Sequence, residues 1–370
     1  MVQTLSKTEK FWYKFLNEED MVHDQICLLD PLGFDNTLNL VHQFNKEGDI
    51  DGLVSMMYQY MPKPKQIELF GYNESIAVMR DLGILIGSMK RHGHEPISLV
   101  PELEYVLFEL SEKTDLPPRD TLFHYTIWNP AGARMRTYTG SEDEIELINS
   151  VKESYHPLVY AIYLLMEMHN TKLDDTYFML MCIRAEKCFQ GMVNGIINAK
   201  KKVSPAYFAN ELRFYFDPIV IHKASYIGPG AVEMPVFVYD HLLWSSDTED
   251  EVYKKFKTTY LPFNLSYLRD AYYNYDGKES IVSKMHKALA DRAKYDAEIL
   301  KNNARALLNL CMTMKRFRMP HKKLANEAYK QQKDRSTGSG GYSPDILSHI
   351  IELNLQQIFS LDKAINAQVD

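Results

Sequence analysis

Apolar residues recur at intervals of three and four along most of this chain, which is the period of an amphipathic α-helix. Between Asn73 and Lys90 the apolar side chains share one helical face, and Gly93 follows as a stop signal. The same period predicts further helices over residues 142–169, 173–200, 205–216 and 284–317. Few segments alternate apolar with polar residues, so strand content should be low. The pattern therefore predicts an all-α fold.

Two local features refine this prediction. Ser343, Pro344 and Asp345 have the order of an N-cap, a first-turn proline and an acidic first turn, and they predict a last helix that ends the chain. Gly83 and Gly87 lie one turn apart in the helix over 73–90. Another helix or a flat ligand could approach the backbone closely there, and we favour the packing of a helix.

Turn-forming residues cluster in four places, near residues 61, 116, 226 and 335–341. The first two clusters could separate a smaller N-terminal helical part, residues 1–115, from a larger helical domain, residues 116–370. One continuous domain over 1–370 fits the same pattern. The last two clusters lie between strong helices, where loops often carry function.

Composition excludes several classes of function. The 370 residues carry a formal net charge of −7, so the electrostatic attraction on which nucleic-acid binding relies is absent. The longest apolar stretches are far shorter than the roughly 20 residues that span a bilayer, and the N-terminus lacks an apolar signal core. The four cysteines form no CxxC pair, which favours reduced thiols. We expect a cytoplasmic protein with neither nucleic-acid nor membrane partners.

The strongest candidate for chemistry is His321. It follows Lys315, Arg316 and Arg318 in a helical stretch. Imidazole is a common axial ligand of haem iron, and nearby arginines can pair with the haem propionates. A surface histidine at the basic end of a helix explains the same segment, because cations suit the helix dipole.

A run of serine and glycine, RSTGSGG, follows this stretch at residues 335–341. Gly338 and Gly340 would let backbone N–H groups turn toward a carboxylate, and Ser339 could add a hydroxyl hydrogen bond. A flexible linker explains the loop equally well.

A third region combines small residues with an arginine. Gly230 and Ala231 begin a predicted helix and would let a planar ligand lie against the backbone. Upstream, Phe208 and Arg213 are five positions apart, about 140° around one helix, so they would not share a face. Arg213 could bind a substrate carboxylate or simply pair with a neighbouring acid.

His124 lies in the motif LPPRDTLFHYTIWNP with several aromatic residues. These side chains could line an aromatic pocket, although aromatic residues at helical spacing more often form core. His92 and His94 lack the further ligands that a zinc site needs. The sequence also contains no P-loop, Rossmann, nucleophile-elbow or HExxH motif.

Taken in order, the motifs resemble the indoleamine and tryptophan 2,3-dioxygenase superfamily of haem proteins, and within it the monodechloroaminopyrrolnitrin synthase family. From about residue 50 to the end, the resemblance rests on GSMKRHGHEP, LPPRDTLFHYTIWNP, SYIGPGAVEMPVFVYDHLLWSS, FKTTYLP, FRMPHKKLANEAY and GSGG.

This resemblance implies a helical fold that binds haem b, with His321 at the position of the iron ligand and Arg316 and Arg318 near the cofactor. It places Tyr329 and Ser339 where the family contacts its amino-acid substrate. Residues at the positions that line the distal pocket are Phe208, Arg213, Gly230 and Ala231. The distal histidine of tryptophan dioxygenases has only His124 as a candidate counterpart.

The implied reaction uses dioxygen and a tryptophan-like amino acid, and it leaves room for an electron donor. It opens and rearranges the indole ring of tryptophan or a halogenated tryptophan, with decarboxylation to an aminophenylpyrrole, as a step of pyrrolnitrin antibiotic biosynthesis. Two alternatives stay open: a haem-dependent aromatic amino acid hydroxylase or indole-cleaving dioxygenase, and a helical interaction protein without cofactor.

Overall fold

A computed structural model describes residues 7–331, 341 and 345–367 of the chain, with side chains from residue 18 onward. Its α-helices are α1 (Lys7–Leu28), α2 (Leu38–Glu47), α3 (Ile50–Tyr60), α4 (Pro64–Leu69), α5 (Tyr72–Arg91), α6 (Pro96–Leu99), α7 (Leu103–Thr114), α8 (Leu122–Tyr125), α9 (Glu142–Asn170), α10 (Thr176–Lys202), α11 (Pro205–Asn210), α12 (Val236–Asp240), α13 (Glu251–Tyr260), α14 (Ser266–Tyr275), α15 (Ile281–Ala290), α16 (Ala297–Lys330) and α17 (Asp345–Asn366). This confirms the all-α prediction.

Short elements complete the described chain. The 3-10 segments are Phe34–Thr37, Gly132–Arg134, Leu212–Phe216, Ala231–Glu233, Leu261–Phe263 and Arg292–Lys294, and His241–Ser245 is a π-helical turn. Strands β1 (Ile219–Ile221) and β2 (Ala224–Tyr226) form an antiparallel hairpin in which Val220 pairs with Ser225. The hairpin turns through His222 and Lys223, which both adopt positive φ.

The long helices form the centre of the fold. Helix α10 packs against α9 on one side and α16 on the other, and α17 packs on α16. Helix α9 begins at Ser141, whose side chain accepts a hydrogen bond from the backbone N–H of Glu144, and its first turn is acidic, which suits the helix dipole. It continues through Pro157, against which Gly191 of α10 packs.

The predicted helices over 73–90, 142–169 and 173–200 are confirmed as α5, α9 and α10. The predicted single helix over 284–317 is wrong. Helix α15 ends at Ala290, and α16 starts at Ala297 after Asp296, which accepts hydrogen bonds from two N–H groups of the new first turn. The last predicted helix is α17, although Ser343 and Pro344 of its predicted start lie outside the described residues.

Buried apolar side chains form two clusters. The larger one is built mainly from α9, α10 and the chain after Met234. The smaller one combines residues 34–110 with Tyr125, Tyr138 and residues 212–221, so it takes side chains from both sides of position 115. Within the described residues, no helix has the length and apolar character needed to cross a bilayer.

The expectation that a helix or ligand approaches Gly83 and Gly87 is wrong. A Cβ atom at Gly83 would lie 2.4 Å from the carboxyl carbon of Asp120, and one at Gly87 would lie 2.5 Å from the hydroxyl of Tyr138. Both neighbours belong to irregular connections packed onto α5. The glycines therefore admit polar side chains of buried loops.

Candidate active site

A cavity of about 340 Å³ lies between the long helices, within the size range of small-molecule sites. Its walls come from α9 and α10, from residues 229–237, from the C-terminal half of α16 and from the start of α17. Leu147, Met192, Phe237, Leu324 and Ile350 are typical of a lining that is mainly apolar. Such a lining suits a flat hydrophobic ligand that is oriented by a few polar groups.

His321 lines this cavity. Among the described residues of the cavity wall, it is the one histidine. It lies on α16 one turn after Phe317, and the two ring centroids are 5.6 Å apart. Burial, with a smaller contribution from the cation of Arg318, lowers the pKa of His321 to about 4. The ring is therefore neutral at pH 7, which is the form of imidazole that binds a metal.

Arg318 lies three residues before His321, on the same face of α16, and also lines the cavity. Its Nη2 group donates to the carboxylate of Asp240, which is completely buried and also accepts hydrogen bonds from Tyr253 Oη and from Trp244 Nε1 at 2.9 Å. Burial raises the pKa of Asp240, and Arg318 opposes that shift. Asp240 therefore holds one edge of the guanidinium group.

The other edge of Arg318 is open to a ligand. Its Nη1 atom is buried and has no hydrogen-bond partner among the described residues. A buried donor without a partner is costly, so an anionic group in the cavity would satisfy it. A neutral imidazole, an unpaired guanidinium nitrogen and apolar walls together fit a haem, which offers an iron, carboxylates and a flat apolar ring.

Arg316 is placed differently. Two residues away on the helix, it faces Glu186 of α10 at 3.4 Å, with about half of its side chain exposed, and it is not part of the cavity wall. Of the two arginines expected near a cofactor, the structure brings only Arg318 to the cavity.

Phe208, Arg213 and Tyr329 meet in the cavity wall. The predicted continuous helix over 205–216 is wrong, because α11 ends at Asn210 and a 3-10 segment starts at Leu212. This break turns Arg213 toward the same space as Phe208. The guanidinium carbon of Arg213 lies 5.7 Å from the ring centroid of Tyr329, within the range of a cation–π contact.

Gly230 and Ala231 also line the cavity, at the start of the 3-10 segment Ala231–Glu233. The nearby Gly228 is small for another reason. A Cβ atom there would lie 2.5 Å from Arg119 Nη2 and 3.0 Å from the backbone of Phe216. Loop packing therefore requires Gly228.

His124 is buried but is not part of the cavity wall. Its Nδ1 atom accepts a hydrogen bond from the N–H of Thr121 at 3.0 Å. Its ring packs edge-on against Trp128, with the two ring centroids 4.9 Å apart. Burial, with Arg80 nearby, lowers the pKa of His124 to about 3. Its neighbours Leu122, Tyr125 and Thr126 reach the cavity instead. Gly338, Ser339 and Gly340 lie outside the described residues.

Sequence reasoning missed Asp240 and Tyr253, which both line the cavity. A signal for Asp240 existed, because it is the one acid within the apolar run MPVFVYDHLLW. A carboxylate in such a run must be buried, and a buried carboxylate needs a partner. Nothing in the local pattern identifies Tyr253 as its hydrogen-bond donor.

One known protein family matches most of this chain. Residues 40–368 match the family described as monodechloroaminopyrrolnitrin synthase PrnB. The match covers nearly the whole chain, including every cavity residue named above, and starts after α1. This family consists of oxygenases that carry out an oxidative rearrangement of a tryptophan-derived substrate in pyrrolnitrin biosynthesis. The chain therefore belongs to the monodechloroaminopyrrolnitrin synthase family and is an enzyme.

Proposed function

We propose that this enzyme binds haem b in the cavity, with His321 as the protein ligand of the iron. The observation that carries the proposal is the neutral imidazole of His321 in the wall of an apolar cavity. Arg318 would bind a haem propionate through Nη1, while Asp240 keeps the guanidinium group in place. When bound, the haem would supply the activation of dioxygen.

The substrate we propose is tryptophan or a halogenated tryptophan. Arg213 lines the cavity beside Tyr329 and can bind a carboxylate through charge-assisted hydrogen bonds. Phe208 and the small residues Gly230 and Ala231 leave an apolar surface for the indole ring. Ser339, with Gly338 and Gly340, would add hydrogen bonds to the amino-acid end. The chain's own residues thus bind and orient the substrate and exclude water.

The reaction we propose opens and rearranges the indole ring and releases the carboxyl carbon as carbon dioxide, which gives an aminophenylpyrrole-type product. Supply of electrons by a separate donor is part of this proposal. Arg213 is the residue we assign to the carboxyl group that leaves.

Product mass tests the reaction. The haem-loaded enzyme is incubated with tryptophan and with a ring-chlorinated tryptophan, under air and a reductant, and products are analysed by mass spectrometry. Loss of carbon dioxide together with two hydrogen atoms from both substrates is the expected result, because loss of carbon dioxide alone would be a decarboxylation without oxidation. Addition of one oxygen atom would show hydroxylation instead, and addition of two would show simple dioxygenation.

The control for substrate binding is a pair of arginine variants. Arg213→Ala should raise the KM for tryptophan, because it removes the cation from the cavity wall, whereas Arg316→Ala should leave KM unchanged, because Arg316 faces Glu186. Equal effects of the two substitutions would contradict the assignment of Arg213.

A further inference from the structure

A continuous chain of hydrogen bonds joins the cavity wall to the protein surface near the start of α9. It begins at Tyr125, whose hydroxyl donates to Glu144 Oε1 at 2.7 Å. Glu144 Oε2 accepts from the hydroxyl of Thr139 at 2.8 Å, and Thr139 Oγ1 lies 2.6 Å from the hydroxyl of Tyr207. Ser141 Oγ donates to Tyr207 at 2.7 Å.

The two ends of this chain differ in exposure. Tyr125 and Glu144 are buried, with 3% and 0% of their surface exposed, whereas Thr139, Ser141 and Tyr207 are partly exposed. The chain therefore crosses from the interior to solvent through side chains that can each give and accept a proton.

The hydrogen bonds outside Glu144 share one direction. Thr139 donates to the carboxylate, so its oxygen accepts from Tyr207, and Tyr207 accepts in turn from Ser141. Every hydroxyl on this arm points its proton inward. Burial, reinforced by the nearby Glu144, raises the pKa of Tyr125 well above its usual value, so this phenol keeps its proton at rest.

We propose that Tyr125, Glu144, Thr139, Tyr207 and Ser141 form a proton conduit between solvent and the cavity. Thr139 gives a proton to Oε2 of the Glu144 carboxylate, and the carboxyl group then turns to present this proton to Tyr125. Tyr125 passes its own proton to a group in the cavity and takes the proton of Glu144 in its place. Tyr207 and Ser141 refill the hydroxyl arm, so one proton leaves solvent for each one that enters the cavity.

The demand for protons rests on the proposed function, because reduction of dioxygen takes up protons that a mainly apolar cavity must draw from solvent. The five residues conduct protons and are not assigned contact with the substrate. The rival explanation is that Glu144 has a purely structural role. Its carboxylate also accepts hydrogen bonds from the backbone N–H groups of Tyr138 and Thr139, at 2.6 and 2.9 Å.

The test is hydrogen–deuterium exchange of the Tyr125 hydroxyl, measured by NMR on the full chain labelled with carbon-13 at the tyrosine ring carbon that bears the hydroxyl. It needs neither haem nor substrate, so its failure is distinct from failure of the proposed function. The Tyr125 signal is assigned by its loss in Tyr125→Phe. Thr139→Val removes the relaying hydroxyl and keeps the backbone N–H bond to Glu144, whereas Thr139→Ser keeps the hydroxyl.

We expect Thr139→Val to slow exchange at Tyr125 on the order of a hundredfold, which is the lower end of the effect of losing a proton-transfer group. Thr139→Ser should behave as the parent protein. Tyr253 is the internal control, because it is fully buried on Asp240 and outside the conduit, and its exchange should not change. Exchange at Tyr125 that is unchanged, or that accelerates together with Tyr253, would overturn the proposal. If Thr139→Val does not fold, Tyr207→Phe decides by the same criteria, because Tyr207 is partly exposed.

Discussion

Two buried carboxylates near the cavity are stabilised in opposite ways. Asp240 pairs with a cation, Arg318, and accepts two further hydrogen bonds from side chains. Glu144 accepts four hydrogen bonds, all from neutral donors, and it lies in the first turn of α9, where the helix dipole favours a negative charge. The first arrangement fixes a charge in place, and the second leaves a proton acceptor joined to exchangeable hydroxyls.

The charge of their hydrogen-bond partners indicates which chemistry each carboxylate can support. Asp240 neutralises Arg318 on one edge and leaves Nη1 for an anion, so it serves ligand binding. Glu144 has no arginine or lysine among its hydrogen-bond partners in the described part of the chain, so it can change protonation without leaving a buried cation unpaired. Substitutions that remove each carboxylate should separate the two roles.

The largest effect on stability should come from Asp240→Ala. It leaves the buried Arg318 without its partner, and breaking a buried ion pair in this way costs about 3–5 kcal/mol of unfolding free energy. Urea denaturation monitored by circular dichroism measures this cost. Asp240→Asn keeps hydrogen bonding and should lose less. A loss below about 1 kcal/mol for the alanine variant would contradict a tight buried pair.

Glu144→Ala should destabilise the protein less. The hydroxyls of Tyr125 and Thr139 can turn to other acceptors, and Thr139 is partly exposed, so the fully buried backbone N–H of Tyr138 is the donor left unsatisfied, at a cost of about 1–3 kcal/mol. The same denaturation experiment, run beside Asp240→Ala, gives the comparison. A larger loss of unfolding free energy in Glu144→Ala than in Asp240→Ala would contradict this ranking of the two carboxylates.

Arg318→Ala and Arg316→Ala should differ in haem affinity. The buried Arg318 would lose a charge-assisted hydrogen bond of about 1.5–3 kcal/mol, which corresponds to roughly 10- to 150-fold weaker binding. The exposed pair of Arg316 with Glu186 contributes about 0–1 kcal/mol, and it lies outside the cavity. Haem titration followed by absorbance measures both affinities. Equal weakening would contradict the placement of Arg316.

The last prediction concerns pH. The pKa of His321 is lowered to about 4 in the folded state from an ordinary value of about 6.5, so the unfolded chain binds this proton more readily. Its contribution to stability is complete above pH 6.5 and is lost as the pH falls toward 4. His321→Ala should therefore show a shallower loss of unfolding free energy across this window than the parent protein. Identical slopes would mean that His321 titrates normally in the fold.

Local pattern predicted much of the fold because the apolar period of long helices such as α5, α9 and α10 is written in their own sequence. It failed where tertiary contacts decide. The break at Glu211, which turns Arg213 and Phe208 toward one cavity, leaves no mark in the apolar period. The break between α15 and α16 at Asp296 is equally absent from the apolar period, and the structure shows it through the two N–H groups that Asp296 caps.

The site was predicted unevenly for the same reason. His321, Arg316 and Arg318 were predicted together because they are close in sequence, but only Arg318 lies with His321 on the cavity side of α16. Asp240 comes from α12, far along the chain, and only the fold brings it to Arg318. The conduit joins Tyr125 to Tyr207 across 82 positions through Glu144 and Thr139, and no spacing rule connects such residues.

Haem binding through His321 is tested by the absorption spectrum of the protein purified with added haem, compared between the parent chain, His321→Ala and His349→Ala. His349 is the matched control, because it lies on α17 and pairs with Asp250. We predict a sharp Soret band in the parent protein and in His349→Ala, and a shifted or absent band in His321→Ala. A parent protein without a Soret band, or a His321→Ala variant with an unchanged one, would contradict the assignment of His321 as the haem ligand.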